Sequence, residues 1–160
     1  MAGFIDTDGT FSIKLEGSYG SDDSEVRGRV KCVFSLNQSA LNRITGESNL
    51  TFMTDLANFL KVNLNKKVVK CPGPGFIKPS YDALVLFAQS DKKHYLIASY
   101  ITKFPLMTSK HLNYLCFYKG LSYLGKRLTP EEILEVRNIK NSMNNKRTEF
   151  NWDHLNFFYT

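Results

Sequence analysis

Asp6 and Asp8 are the residues of this chain best suited to do chemistry. They stand two apart in the opening string Met1-Ala2-Gly3-Phe4-Ile5-Asp6-Thr7-Asp8-Gly9. Phosphodiester hydrolysis needs a cation that polarises the phosphate, lowers the pKa of the attacking water and stabilises the leaving oxygen. Hard Mg²⁺ prefers carboxylate and water oxygens, and an acidic pair at a helix end can hold it. The small residues Ala2 and Gly3 would let a second helix approach closely, which would set the carboxylates at the foot of a helix seam. Taken alone, an Asp-x-Asp-Gly string is more often a helix stop followed by a turn.

A second group of residues is suited to nucleic acid. Arg27, Arg29 and Lys31 lie two apart, so on a strand all three project from one face. A twisted antiparallel sheet can enter the major groove, where Arg bonds guanine bidentately and Asn or Gln bonds adenine. Ser12, Lys14, Asn37 and Gln38 would add reading groups, and Lys66 and Lys70 would extend the patch. The plain alternative is an ordinary solvated sheet face, since antiparallel sheets often have one and lysine-rich edges resist aggregation.

Other side chains are less informative. His94, His111 and His154 are scattered and read as structural. Cys32, Cys71 and Cys116 are odd in number, lack metal-ligand spacing and read as reduced thiols. The chain has no P-loop, dinucleotide fingerprint or His-Glu-x-x-His.

The elements that must position these groups follow from periodicity. Residues 1–8 read as the end of a helix, stopped at the Asp8-Gly9 step. From Thr10 to Glu16 apolar and polar residues alternate, as in a half-buried strand. Residues 17–24 are a polar loop. Residues 25–38 are a second strand, with Val26, Val30, Cys32, Phe34 and Leu36 on its dry face. Residues 48–65 read as a helix, with Leu50, Met53, Leu56, Ala57, Leu60 and Leu64 mostly three or four apart. Residues 66–70 are a short basic strand, 71–75 a Pro-Gly loop, and 81–89 a buried strand.

Ser90-Asp91 opens a helix to about Lys103, closed by Pro105, and residues 109–124 form another. Thr129-Pro130-Glu131-Glu132 is a capping box with proline at the first helical position, opening a helix to about Met143. A tail follows over 143–160. The order is αββαββα(α), an α+β class with a four-stranded antiparallel DNA-binding sheet and helices on its opposite face. The expectation is a single domain over residues 1–160.

Bulk composition agrees. The 160 residues are 42% hydrophobic and 13% aromatic, which suits a globular core rather than disorder. The net charge of +6 favours a polyanionic partner, nucleic acid first and anionic membrane second. No apolar run reaches the ~20 residues of a membrane span, and the acidic opening is unlike a signal peptide, so no membrane role is expected. Abundant Asn, Lys, Phe, Tyr and Ile point weakly to an AT-rich or organellar genome.

The nine-residue opening, set directly before a two-stranded hairpin, resembles the signature helix of the LAGLIDADG homing endonucleases and intron maturases. The resemblance extends to Phe34-Ser35-Leu36-Asn37-Gln38, to Phe104-Pro105-Leu106-Met107-Thr108-Ser109-Lys110, to Gly125-Lys126-Arg127-Leu128-Thr129 and to Ile139-Lys140-Asn141-Ser142-Met143-Asn144. The last three segments are similar to one half of fungal mitochondrial members with two motifs. Met1 stands where the family usually has Leu.

The resemblance implies a sequence-specific double-stranded DNA endonuclease that uses Mg²⁺ or Mn²⁺, with Ca²⁺ as a non-catalytic substitute, and leaves short 3′ overhangs. By position, Asp8 matches the metal-binding carboxylate and Thr7 would lend its backbone carbonyl. Gln38 matches the polar residue that orients water, and Lys110 the basic residue near the scissile phosphate. Ala2, Gly3, Phe4 and Asp6 fall on the helix seam. One motif implies a homodimer or a second LAGLIDADG half as partner, and family members suggest a mitochondrial location. The rival reading is a splicing maturase, or another module on the same fold that binds intron RNA without cutting.

Overall fold

The computed structural model describes residues 1–17, 28–70, 80–88 and 91–158. Its elements run α1 (Ala2–Asp8), β1 (Gly9–Glu16), β2 (Arg29–Ser39), α2 (Leu50–Leu60), β3 (Asn63–Lys70), β4 (Ser80–Ala88), α3 (Asp91–Lys103), α4 (Lys110–Leu121) and α5 (Pro130–Asn141). Short 3-10 turns follow at Asn144–Lys146 and Asp153–Phe158. The four strands form one antiparallel sheet in the order β1-β2-β4-β3. This is the α+β architecture that the sequence pattern implies. The 71–75 loop and Arg27 lie outside the described residues.

Alternation decides which face of the sheet is dry. Phe11 pairs with Phe34, Ile13 with Cys32 and Leu36 with Leu86, and all six side chains are buried. The helices cover that side, α4 and α5 over β1, and α2 over β3 and β4. Phe11 is the hub of an aromatic cluster, with ring centroids 5.3 Å from Phe34, 5.2 Å from Phe117 and 5.9 Å from Tyr114. Burying each such ring contributes about 1.5–3 kcal/mol. Among the described residues, no helix covers the opposite face of the sheet.

The junction between α1 and β1 is tight. Gly9 donates its N–H to the Ile5 carbonyl, and a Cβ there would lie 2.5 Å from the Ile5 oxygen. Only glycine lets the chain leave the helix so closely, so Asp8 is fixed where helix becomes strand. At the other end of the chain, Thr129 caps α5 as expected: its hydroxyl accepts from Glu132 N at 3.3 Å, while its own N–H donates to Glu132 Oε2 at 2.9 Å.

The second helix is shorter than the periodicity predicts. It ends at Leu60, because Lys61 turns into the left-handed region at φ 52°. The chain then enters β3 at Asn63. Leu64 belongs to the sheet, paired with Leu86. Its four-residue spacing from Leu60 suits a helix and a strand's inner face equally well.

The C-terminal segment is tied back onto α4 and β1. Asn144 Nδ2 donates to the Phe11 carbonyl at 3.1 Å, and the Asn144 N–H to Asn113 Oδ1 at 2.9 Å. Further on, His154 stacks on His111 with centroids 4.2 Å apart and planes 12° from parallel. His111 Nδ1 and His154 Nε2 are buried with no hydrogen-bond partner among the described residues.

Burial pushes the His111 imidazole down to about 4, reinforced by His154 and partly opposed by Asp6. The unfolded chain therefore takes up this proton near its ordinary value of about 6.5 while the folded chain refuses it. His111's contribution to stability is complete above about 6.5 and is lost as pH falls toward about 4. Thermal denaturation across this range should show a falling midpoint on acidification, with a flatter slope for His111→Phe.

Candidate functional site

The site begins with a division of labour between the two aspartates. Asp6 is buried and reaches across to the segment ahead of α4. It accepts the Met107 N–H at 2.8 Å, the Thr108 N–H at 3.1 Å and the Thr108 hydroxyl at 2.5 Å. Three donors on one carboxylate make a strong, directional tie. Its carboxylate points into its own chain and anchors the start of α4.

Of the other seam candidates, Ala2 is half-buried and Phe4 packs on Phe52, ring centroids 5.2 Å apart. Gly3 is exposed, and a Cβ on it would meet nothing within 4 Å. Gly3 and Thr7, four residues apart, form the open stripe of α1.

Asp8, half-buried at the foot of α1, is left for chemistry. The Thr7 hydroxyl lies 3.0 Å from Asp8 Oδ2 and 3.1 Å from the Phe4 carbonyl, with one proton to give to either. The Asp6 tie brings the start of α4 alongside, and Lys110 Nζ donates to the Thr7 carbonyl at 2.7 Å. Burial holds the Lys110 ammonium below the usual lysine range, and the charges of Asp6 and Asp8 pull it back up. Lys110 thus stands in the electrostatic field of Asp8, as its sequence position implies. The Thr7 carbonyl expected on a metal already serves this lysine.

Asp8 also lines an open cavity of about 640 Å³. Gln38, Asn37 and Ser39 of β2 line it too, with Lys67, Val69, Tyr81 and Ala83 of β3 and β4 and with Leu41, Asn42, Arg43, Ile44 and Asn49 of the β2–α2 connection. Gln38 Oε1 accepts the Ser39 N–H at 3.2 Å. Arg43 sits over the Tyr81 ring at 5.4 Å, a cation–π contact that holds the guanidinium at the cavity wall. Asp8 and Gln38, thirty positions apart in sequence, therefore share one cavity with Arg43 and Lys67, neither of which sequence reasoning singled out. Period-two alternation begun at Asn63 would have found Lys67. Arg43 lies in a loop and offered no pattern.

The cavity continues into the uncovered face of the sheet. Thr10, Ser12, Lys14 and Glu16 of β1 stand opposite Ser35, Val33, Lys31 and Arg29 of β2. Asn37 follows on the same face, next to Val85, which pairs in turn with Asn65. Lys14 and Lys31 are direct cross-strand neighbours, an unfavourable like-charge pair. Glu16 Oε1 lies 3.9 Å from Lys31 Nζ and offsets part of that repulsion.

Two expected contributors sit elsewhere. Lys66 pairs with buried Leu84, and Lys70 with Ser80, so both lie on the helix side of the sheet. Lys67 takes their place on the open face. Strand register fixes this, because one step along a strand reverses the face.

Asp8 Oδ1 takes no hydrogen bond among the described residues, and hard oxygen donors of this kind suit Mg²⁺, Mn²⁺ or Ca²⁺. No group of three or more His, Cys, Asp or Glu that could hold a metal occurs among the described residues. One carboxylate fits a cation whose remaining ligands are water, substrate oxygens or a second carboxylate from another copy of the motif.

The family profile described as LAGLIDADG endonuclease matches residues 1–121. The chain belongs to this family. Solved structures of homing endonucleases share its fold. The meganuclease I-CpaMI, solved bound to uncleaved DNA, superposes at TM-score 0.64 with 20% identity, covering 99% of this chain and 46% of that one. The homing endonuclease I-TnaI gives 0.62 and 19%, covering 99% and 92%. The archaeal intron-encoded homing endonuclease I-Vdi141I, complexed with DNA, gives 0.58 and 15%, covering 96% and 88%. This chain thus spans about half of I-CpaMI and nearly all of I-TnaI, and at these identities the likeness concerns the LAGLIDADG fold.

The two aspartates should separate in a stability assay. Asp6→Ala leaves three donors unanswered and should lower the urea unfolding free energy by about 2–3 kcal/mol. Asp8→Ala should stay within about 0.5 kcal/mol of the wild type.

Proposed function

We propose that this chain is one catalytic half of a sequence-specific, divalent-metal-dependent DNA endonuclease. The observation that carries this reading is the shared cavity: Asp8, Gln38 and Arg43 line one hollow at the end of a sheet whose open face is basic. Family membership supports it, as do the DNA-bound states of relatives with this fold.

Each residue has a role that its position allows. The cradle residues Lys14, Arg29, Lys31 and Lys67 neutralise phosphates, while Ser12, Ser35, Asn37 and Asn65 present hydrogen-bonding groups to base edges. Asp8 holds the divalent cation, which when bound would polarise the scissile phosphate and acidify water. Gln38 orients that water. Lys110 and Arg43 place positive charge where the phosphorane and the leaving oxygen become negative.

The open stripe of Gly3 and Thr7 receives a second motif helix, from another copy or from a companion half. Such two-fold pairing supplies the second carboxylate and the second strand cut. It also makes the target pseudo-palindromic.

A duplex selected from a random-sequence pool provides the substrate. With Mg²⁺, Asp8→Asn should slow cleavage roughly a thousandfold, corresponding to the loss of several kcal/mol of charge stabilisation, and leave affinity within about threefold. Undiminished cutting by this variant, or cutting that survives chelation by EDTA, would overturn the metal assignment. Lys67→Ala should weaken binding to all sequences and reduce the salt-dependence slope by about 1, as expected for one lost phosphate contact. An unchanged slope would remove β3 from the cradle.

A further inference from the structure

The connection between β2 and α2 carries a feature that phosphate and base-edge contacts leave unused. Ile44 is 95% exposed and its neighbour Leu41 is 55% exposed. Single exposed apolar residues are ordinary on protein surfaces. Several others here lean on a neighbour, as Phe59 does on Tyr100, ring centroids 5.8 Å apart. Ile44 stands clear of its own subunit.

Its loop is not loose. Leu41 and Ser48 form a bridge, Asn42 N–H donates to Glu47 O at 2.8 Å, and Gly46 N–H donates to Asn42 O at 2.9 Å. The Asn42 side chain accepts the N–H groups of Ile44 and Thr45 at 2.9 and 3.3 Å. Gly46 takes φ +76°, a region that suits glycine and closes the turn. At the base of the loop, Asn49 Nδ2 donates to the Ser39 carbonyl at 3.0 Å. An ordered frame therefore presents a bare apolar side chain.

Where it presents it is informative. Ile44 and Leu41 border the same cavity as Asp8 and Gln38. The cations Arg43 and Lys67 and the amide of Asn37 share that lining, with the apolar Val69 and Ala83 and the ring of Tyr81 behind them. The one carboxylate of the loop, Glu47, is engaged by the Thr45 hydroxyl at 3.2 Å. Two cations, Arg43 and Lys67, beside an apolar tip on a chain of net charge +6 match a polyanion with a stacked apolar interior. Architectural DNA-binding proteins use this combination, with cations on the phosphates and an apolar wedge that unstacks a base step.

We propose that Ile44, backed by Leu41, is a wedge that enters the duplex beside Asp8 and unstacks one base step. This rests on the DNA endonuclease reading above. Arg43, next to the wedge, holds the adjoining phosphate. The deformation carries the neighbouring backbone toward Asp8. It also makes the enzyme selective for flexible pyrimidine–purine steps at a position where no side chain needs to read a base edge.

The experiment uses the full chain and duplexes selected from a random pool, with 2-aminopurine placed at successive central steps and a donor–acceptor dye pair on the ends. Wild type should raise fluorescence several-fold at one step and shorten the end-to-end distance. Ile44→Ser should lose the fluorescence rise and most of the bend, with affinity reduced by no more than about tenfold and an unchanged melting temperature. Ile44→Phe should restore both signals.

A fluorescence rise and bend in Ile44→Ser equal to wild type would overturn the wedge and leave the endonuclease reading intact. A loss of self-association by Ile44→Ser without DNA would also overturn it and assign Ile44 to a protein contact. If wild type retains no duplex above non-specific affinity, the endonuclease reading fails and takes the wedge with it.

Discussion

The whole arrangement hangs on the carboxylate of Asp6. It binds three donors from Met107 and Thr108, more than a hundred residues away in sequence. This clamp joins the first helix to the start of α4. Without it, Lys110 would have no fixed relation to Thr7 or Asp8. An exposed ion pair contributes little, whereas a buried carboxylate that accepts three hydrogen bonds sets geometry as well as energy. The motif helix is thus two devices in one turn, with Asp6 spent on architecture and Asp8 kept at the surface of the cavity.

The sheet shows a related compromise. One face is sealed by the Phe11 cluster and the helices, the other is open. On the open face Lys14 and Lys31 stand directly opposite each other, which a fold selected only for stability would avoid. Glu16 relieves some of the repulsion near the far end of the hairpin. Toward the Asp8 end the face turns polar and then cationic again, through Asn37, Lys67 and Arg43. The charge is therefore spread along a cradle rather than gathered at a point.

Much of this was legible in the residues. Alternation in β1 and, interrupted at Val33, in the described part of β2 placed Phe11, Ile13, Cys32 and Phe34 on the dry face, and the Asp8-Gly9 step marked the junction. The phase of β3 was not legible, because Leu60 and Leu64 satisfy helix and strand at once and the left-handed turn at Lys61 has no residue signature of its own. That slip put Lys66 and Lys70, rather than Lys67, on the open face. The resemblance separated Asp8 from Asp6, but the partners of Asp6 were hidden, since the donors that claim it come from a distant loop. Arg43 and Ile44 lie where no periodicity operates, so only the folded loop could place them beside Asp8.

The ties that complete the site share one property: each joins residues more than a hundred positions apart. Asp6 waits for Thr108, Thr7 for Lys110 and the Phe11 carbonyl for Asn144. Contacts this remote in sequence form late, after the loops between them have closed. During synthesis the motif helix emerges about a hundred residues ahead of the start of α4, so until then it has no clamp and no neighbouring lysine. A nascent chain therefore carries the signature residues without the assembled centre until α4 has emerged.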